Sequence, residues 1–205
     1  MIIMKIYFTI AAFLLVVFAA AQQPTLMPGS AAPGIALMSV SNKKVSLNDY
    51  PQAKGFIIVF TCNTCPYAKA YEQRIVALNN KYASLGFPVI AINPNDPTTS
   101  AGDSFEKMKA VAKAHQYIFP YLFDEGQLVT TQYGAKNTPH VFVVGKSNGN
   151  LIIEYVGAID NDTPDTNPAK TKFVEDAVNA LLKNNKPAIA FTKAIGCGVR
   201  WKKTN

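Results

Sequence analysis

The alternation of apolar and polar positions predicts strands and helices that follow one another along the chain. Residues 56–60 are apolar without interruption and β-branched in the middle, which is typical of a strand buried on both faces. Directly after Cys65 the period changes. Apolar residues then recur every three or four positions as far as Tyr82, which predicts an amphipathic helix. The same reasoning predicts strands at 87–92, 121–123, 141–144 and 151–157, and helices at 104–116, 127–133 and 170–182.

These elements predict an α/β fold in which helices cover both faces of a mixed central β-sheet. Residues 35–40 and 45–47, separated by a polar turn, add a β-hairpin on the N-terminal side of the first buried strand. No change of composition along residues 22–205 indicates a domain boundary, and a chain of this length can form one core. We therefore expect a single domain.

The N-terminus has the pattern of a secretory signal peptide. Lys5 precedes an uncharged, largely apolar run over residues 6–21 that ends in three alanines. The run is slightly shorter than the roughly 20 apolar residues that a membrane-spanning helix needs, so cleavage after Ala21 is favoured over retention as an anchor. We therefore expect an exported protein, periplasmic or secreted. It would contact a membrane only if residues 1–21 were retained.

The charge changes this picture little. The chain carries a formal net charge of +7, but its lysines are scattered rather than collected on one stripe with aromatic residues between them. A nucleic-acid-binding surface would need such a stripe, so we expect a solvated basic surface and no nucleic-acid partner. The chain has only three cysteines, too few for a disulfide-stapled scaffold.

Two of these cysteines, Cys62 and Cys65, stand in the motif FTCNTCP between the buried strand and the helix. Free N–H groups and the positive dipole end at a helix start stabilise a thiolate. We therefore expect a lowered pKa for Cys62 and a disulfide between Cys62 and Cys65. A structural zinc site needs paired ligands, which Cys197, His115 and His140 do not supply. The motif predicts a redox-active dithiol.

With these motifs the chain resembles thioredoxin-fold redoxins, the branch of TlpA-like thiol–disulfide oxidoreductases and AhpC/TSA peroxiredoxins. The resemblance is carried by PGSAAP, KGFIIVF, TPHVFVV and SNGNLIIEYVG, and by CNTCPYAKAYEQR, AINPND and a C-terminal GC…W, which are typical of an exported peroxiredoxin-like subgroup. It implies a thioredoxin-like fold and redox chemistry without cofactor or metal. It also implies a cis Thr138–Pro139 bond beside the dithiol, with Thr61, Thr138 and Pro139 contacting substrate. The backbone of Thr138 would pair with an extended substrate segment.

The chain departs from both branches of this family. Thioredoxins carry a tryptophan before the first cysteine and a buried aspartate six residues before it, where this chain has Thr61 and Phe56. Proton transfer to the second cysteine therefore needs another group, and Glu72 and His140 are candidates. A solvent-facing Glu72 and a His140 satisfied in the core are the simpler interpretations. Peroxiredoxins place a threonine three residues before the reactive cysteine and an arginine at Pro139, so their peroxide-activating pattern is not met.

Three functions fit these observations. In thiol–disulfide exchange, Cys62 attacks a disulfide of a partner protein and Cys65 resolves the mixed disulfide, with electrons from an unidentified donor. In a thiol peroxidase, a peroxide oxidises one thiol to a sulfenic acid, which condenses with the other. In a copper-handling module, the thiolates and His140 hold the ion, although copper-delivery members of this fold have three residues between their cysteines. We expect exchange.

Two features are open at this point. Cys197, in IGCGVRW, suits a second resolving cysteine, an intermolecular link or a small buried side chain. Residues 93–96 end a predicted strand on the side where the site is expected. They either line the substrate groove or only turn the chain.

Overall fold

The computed structural model of the protein describes residues 24–203. The predicted signal peptide, residues 1–21, lies outside the described residues. Within 24–203, no helix is long and apolar enough to cross a membrane.

The described residues form four α-helices and nine β-strands. The helices are α1 (Pro66–Tyr82), α2 (Phe105–Ala114), α3 (Leu128–Tyr133) and α4 (Phe173–Leu182). The strands are β1 (Ala36–Ser39), β2 (Lys44–Ser46), β3 (Gly55–Phe60), β4 (Val89–Asn93), β5 (Tyr121–Phe123), β6 (Asn137–Thr138), β7 (His140–Ser147), β8 (Asn150–Gly157) and β9 (Cys197–Gly198). The proline at the first position of α1 suits a helix start, and Gly86, with φ of +97°, ends the turn that follows the helix.

Seven strands form one mixed sheet in the order β2-β1-β5-β4-β3-β7-β8. Strands β3, β4 and β5 are parallel to one another, while β7 and β8 continue the sheet as an antiparallel hairpin. The predicted N-terminal hairpin, β1 and β2, extends the other edge through antiparallel pairing of β1 with β5. The mixed sheet and both hairpins confirm the sequence prediction.

The side chains of β3 alternate between two apolar layers. Ile57 and Val59 pack against α1, α2 and α4 on one face of the sheet. Phe56, Ile58 and Phe60 point to the other face, where α3 and the N-terminal segment cover them. This period of two explains why an uninterrupted apolar run forms a strand at the centre of the sheet. Helices on both faces confirm the predicted layering.

A small second sheet is the main feature that the pattern did not predict. Strand β9, near the C-terminus, pairs antiparallel with β6, the two residues before Pro139. Two-residue strands leave no periodic signal, so hydrophobic patterning left residues 183–203 without an element. This pairing brings the C-terminal segment to the cysteines.

Candidate redox site

The two cysteines of the motif lie at the start of α1. Cys65 is the N-cap residue of the helix, and Cys62 lies in the turn that connects β3 to it. The backbone N–H groups of Thr64 and Cys65 at this helix start lower the pKa of the Cys62 thiol. Both cysteines are buried, each with 3% of its surface exposed. The predicted position, between a buried strand and a helix N-terminus, is the one observed.

The disulfide is not the expected one. Cys65 is bonded to Cys197, with 5.9 Å between the two Cα atoms, and Cys62 is a free thiol. The reason is the pairing of β9 with β6, which sets Cys197 against the helix start. The backbone N–H of Cys197 lies 3.3 Å from the sulfur of Cys65. A disulfide between Cys62 and Cys65 was therefore the wrong expectation for this state of the protein, and Cys197 is neither an isolated buried thiol nor an intermolecular link in it.

Thr138 contacts both cysteines of the motif. Its hydroxyl lies 3.1 Å from the sulfur of Cys62, and its carbonyl oxygen lies 3.2 Å from the sulfur of Cys65. Thr138 is fully buried, and its peptide bond to Pro139 is cis, as the resemblance implied. Thr61, only 5% exposed, donates its backbone N–H to Ile92 at 2.8 Å and so continues the pairing of β3 with β4. The predicted residues Thr61, Thr138 and Pro139 thus lie around the cysteines.

The pKa of the Cys62 thiol corrects a second expectation. Burial raises this pKa above its ordinary value, and the nearby negative charge of Asp103 raises it further. Hydrogen bonds from Thr138 and from the N–H groups of Cys65 and Thr64 act in the opposite direction but do not outweigh burial. The predicted lowering was wrong for this closed arrangement, because the helix start stabilises a thiolate less than the loss of water destabilises it.

Asp103 is the buried charged group of the site, and sequence reasoning missed it. Its carboxylate is fully buried and accepts five hydrogen bonds, all from the cysteine motif, the end of β4 and the loop after it. The donors are the backbone N–H of Asn63 at 2.7 Å, the hydroxyls of Thr64 at 2.8 Å and Ser100 at 2.6 Å, and the amides of Asn93 at 3.2 Å and Asn95 at 2.9 Å. Burial alone would raise the pKa of Asp103, but these hydrogen bonds outweigh it and lower the pKa. Through these hydrogen bonds the carboxylate fixes the positions of Asn63 and Thr64 in the cysteine motif.

A polar shell extends this network. The hydroxyl of Tyr121 donates to the side-chain oxygen of Asn63 at 2.9 Å and accepts from Asn93 at 3.1 Å. The signal in the sequence was the cluster of polar residues after β4, at the carboxyl ends of the parallel strands, where sites of α/β sheets lie. Residues 93–96 do more than turn the chain, because Asn93 and Asn95 hold the carboxylate of Asp103.

The two candidates for proton transfer lie elsewhere. Glu72 is buried rather than solvent-facing, and its carboxylate lies 3.3 Å from Nδ1 of His115. Burial raises the pKa of Glu72, and His115 and Lys69 only partly offset this. The expectation of a solvent-facing Glu72 was wrong, because α1 turns this position toward the segment around His115.

His140 is a core residue at the start of β7. It is 5% exposed, its ring packs 4.7 Å from that of Phe142, and its Nδ1 accepts from the backbone N–H of Lys136 at 3.5 Å. Burial, with a smaller effect of Lys136, lowers the pKa of His140 to about 4, so its imidazole is neutral at pH 7. Neither Glu72 nor His140 makes a hydrogen bond to Cys62 or Cys65 in the described part of the chain. Among residues 24–203, no three His, Cys, Asp or Glu side chains come together to hold a metal ion, so the copper hypothesis has no ligand set there.

Solved structures with similar folds support the same architecture. A crystal structure of an uncharacterized conserved protein from Geobacillus kaustophilus is 34% identical, with a TM-score of 0.80, and the match covers 87% of this chain and 94% of that one. A hypothetical protein from Sinorhizobium meliloti 1021 is 27% identical, with a TM-score of 0.81, over 89% of this chain and 99% of that one. The thioredoxin domain of a thiol-disulfide oxidoreductase from Bacteroides vulgatus is 20% identical, with a TM-score of 0.52, over 65% and 91% of the two chains, which shows a shared fold.

The family is identified by a match to the sequence model of a family. A comparison with curated proteins finds no match. The sequence model of the AhpC/TSA family matches residues 28–157, which run from the segment before β1 through the cysteine motif and Thr138 to the end of β8. The match spans more than half of the chain and includes the whole central sheet. This protein therefore belongs to the AhpC/TSA family and has a thioredoxin-like fold.

Proposed function

We propose that this protein is a thiol–disulfide oxidoreductase in which Cys62 attacks a disulfide of a partner protein and Cys65 resolves the mixed disulfide. One observation carries the proposal: a free thiol and a disulfide meet at a single buried residue, Thr138. The three cysteines pack together in one cluster with Ala68. Exchange requires a thiol and a disulfide in contact, and this cluster brings both together without any further group.

The reaction consists of two displacements. The Cys62 thiolate forms a bond to one sulfur of the partner disulfide, and the other partner sulfur leaves as a thiolate. The Cys65 thiolate then attacks Cys62, which forms a Cys62–Cys65 disulfide and releases the second partner sulfur. Two electrons pass to the partner, and a dithiol donor must return them before the next cycle.

The groups around Cys62 support its role as the nucleophile. The hydroxyl of Thr138 lies 3.1 Å from its sulfur, and this hydroxyl and the N–H groups of Thr64 and Cys65 act as three donors that lower the pKa of the thiol. Burial is what raises the pKa of the thiol. Entry of water or of a partner's polar backbone reduces this burial penalty, and the three donors then favour the thiolate.

We also propose that the protein acts after export and removal of residues 1–21. The support is the lysine, the apolar run and the alanine-rich end of this segment. Exported compartments are oxidising, and a disulfide such as Cys65–Cys197 persists there.

Stopped-flow measurement of thiol consumption tests the exchange reaction. The fully reduced protein is mixed with insulin as a protein disulfide or with hydrogen peroxide, beside the variants Cys62→Ser and Cys65→Ser. We expect fast reaction with insulin and a loss of about 1000-fold in Cys62→Ser, because no other cysteine is placed to attack first. Cys65→Ser is the matched control, because it makes the same substitution at the other cysteine of the motif. It should still attack but accumulate a covalent adduct with insulin, visible by non-reducing electrophoresis.

The peroxide arm separates the proposal from the peroxidase hypothesis that the family assignment also suggests. The chain has neither the threonine three residues before the reactive cysteine nor the arginine at Pro139 that activate peroxide in peroxiredoxins, which favours exchange. Fast loss of thiol with peroxide and slow loss with insulin would overturn the exchange mechanism and make the protein a peroxidase.

A further inference from the structure

The C-terminal segment of the chain lies beside the cysteines as an added β-strand. Residues 196–202 form this segment, which we call the C-terminal strap. In it, Cys197 lies opposite Thr138 and Gly198 lies opposite Asn137 in antiparallel register. Thr138 is the residue whose backbone was expected to pair with an extended substrate. The chain therefore fills its own expected substrate position.

The strap is held almost entirely through its main chain. Its hydrogen bonds run to the segment before Pro139, to the loop after β4 and to Gln127. They are Asn137 Nδ2 to the Gly196 carbonyl at 3.0 Å, Val199 N–H to the Lys136 carbonyl at 3.0 Å, Arg200 N–H to Asn95 Oδ1 at 2.9 Å, Asp96 N–H to the Arg200 carbonyl at 2.9 Å, Gln127 Nε2 to the Arg200 carbonyl at 3.0 Å and Lys202 N–H to Gln127 Oε1 at 2.9 Å. Main-chain pairing of this kind is the usual means of binding an extended peptide to a strand edge.

Gly196 allows the strap to approach this closely. A Cβ atom built at Gly196 would lie 2.1 Å from the carbonyl oxygen of Thr138, which is far inside van der Waals contact. At Gly198, two residues later, an added Cβ meets nothing within 4 Å. The close fit is therefore confined to the residue that precedes Cys197. It brings the Cys197 sulfur to Cys65.

We propose that Cys197 is a third redox-active cysteine. Its disulfide with Cys65 exchanges with the thiol of Cys62, and the strap occupies the position where the partner binds. This inference rests on the proposed function and names a further catalytic residue for it. All three sulfurs lie in the cluster around Ala68, and Thr138 contacts both possible partners of Cys65.

The exchange is an isomerisation that needs no external oxidant or reductant. The Cys62 thiol loses its proton, and its sulfur attacks the sulfur of Cys65. The Cys62–Cys65 bond forms while the Cys65–Cys197 bond breaks, and Cys197 leaves as a thiolate that takes up a proton. One disulfide and one thiol are present before and after the step.

The two isomers differ in access to the groove. In the Cys65–Cys197 isomer the strap is covalently fixed, and Cys62 is 3% exposed. In the Cys62–Cys65 isomer only hydrogen bonds hold the strap, so an extended segment of the electron donor can replace it and reach the dithiol. Cys197 thus converts a closed oxidised form into one that the donor can reduce.

Disulfide mapping without any partner tests the inference. The reduced protein is oxidised with one equivalent of diamide, equilibrated at pH 8, quenched with acid, labelled with N-ethylmaleimide and digested with pepsin at low pH. We expect both Cys62–Cys65 and Cys65–Cys197 peptides by mass spectrometry, in a ratio that no longer changes with time. Detection of Cys62–Cys65 alone, with Cys197 labelled, would overturn the inference. So would Cys65–Cys197 alone, or a Cys197-linked dimer.

Two glycine variants test whether the seat of the strap directs the exchange. Gly196→Ala should lower the ratio of Cys65–Cys197 to Cys62–Cys65 about tenfold or more, because a methyl group against the carbonyl of Thr138 forces the strap away. Gly198→Ala is the matched control and should keep the native ratio. Equal ratios in the two variants would show that the strap does not direct the disulfide. Because the mapping contains no partner, its failure leaves the reaction with insulin unaffected, and failure of the insulin reaction leaves the mapping readable.

Discussion

The cysteine loop, residues 62–65, and the C-terminal strap meet at Thr138 but are held in different ways. The cysteine loop rests on side chains: the buried carboxylate of Asp103 accepts from Asn63 and Thr64, and Tyr121 adds a further hydrogen bond. The strap rests on its own main chain and on one disulfide. A buried side-chain network fits one sequence only, whereas main-chain pairing accepts many. The comparison indicates a permanent half of the site and an exchangeable half.

The largest effect should come from removing the charge that holds the cysteine loop. Asp103→Asn removes the charge and replaces one of the two acceptor oxygens with an NH₂ group, which then faces two donors at the Oδ1 position or three at the Oδ2 position. We expect the free energy of unfolding, from urea titration, to fall by roughly 3–4 kcal/mol. Asp176→Asn, the same change at an exposed position of α4, should stay within about 0.5 kcal/mol. Equal losses in the two variants would show that the buried carboxylate of Asp103 does not hold the cysteine loop.

The stability conferred by Asp103 should also depend on pH. Its folded-state pKa lies below the ordinary aspartate value, so the stabilisation is present at neutral pH and is lost as the pH falls through the folded-state pKa. The difference in unfolding free energy between the native protein and Asp103→Asn should therefore shrink below about pH 4. An unchanged difference down to pH 2 would contradict this.

A slightly smaller effect is expected at His140, which supports the segment where the two halves meet. Burial lowers its pKa to about 4, so the unfolded chain takes up a proton at a higher pH than the folded one. Between about pH 6.5 and 4 the native protein should lose roughly 3 kcal/mol that His140→Leu does not lose. Urea titrations across this range, compared as the difference between the two proteins, measure it. Parallel curves would show that His140 is not buried as a neutral group.

Tyr121→Phe should weaken the cysteine loop moderately. It removes the hydroxyl that joins Asn63 to Asn93, and we expect a loss of about 1 kcal/mol in the free energy of unfolding. Tyr67→Phe, at a position with 41% of its surface exposed, is the matched control and should change it by less than about 0.5 kcal/mol. A loss at Tyr67 equal to that at Tyr121 would contradict the role of the buried hydroxyl.

The smallest effect on global stability should come from the strap. Gln127→Asn shortens the side chain that bonds Arg200 and Lys202, while asparagine tolerates the left-handed backbone at this position, where φ is +53°. In the reduced protein, amide hydrogen exchange at residues 199–202 should become about tenfold faster, with the cysteine loop unchanged. Faster exchange in both segments would show that the two halves open together.

The sequence predicted the sheet well because apolar patterning is a local signal. Residues 56–60 form the centre of the sheet and Pro66–Tyr82 form α1 as expected, since each pattern reports only its own burial. The position of the site was predicted correctly, but the pairing of its cysteines and the direction of the pKa shift of Cys62 were not. The partner of Cys65 depends on a strand 132 residues away, and no local pattern encodes that pairing. Asp103 was missed for the same reason, because the polar sequence around it does not indicate that its carboxylate is buried.

The chain is anchored at Thr192, shortly before the strap begins, and this anchor affects how a partner competes with the strap. Thr192 is bound to the outer strand β8, where its N–H donates to Val156 and its hydroxyl accepts from the N–H of Ala158. Only residues 193–195 separate this anchor from Gly196. A segment tethered this closely has an effective concentration on the order of millimolar at its own groove, even after its disulfide is broken. A partner at micromolar concentration must therefore bind about a thousandfold more tightly than the strap. The short linker thus prevents extended chains that bind weakly from displacing the strap.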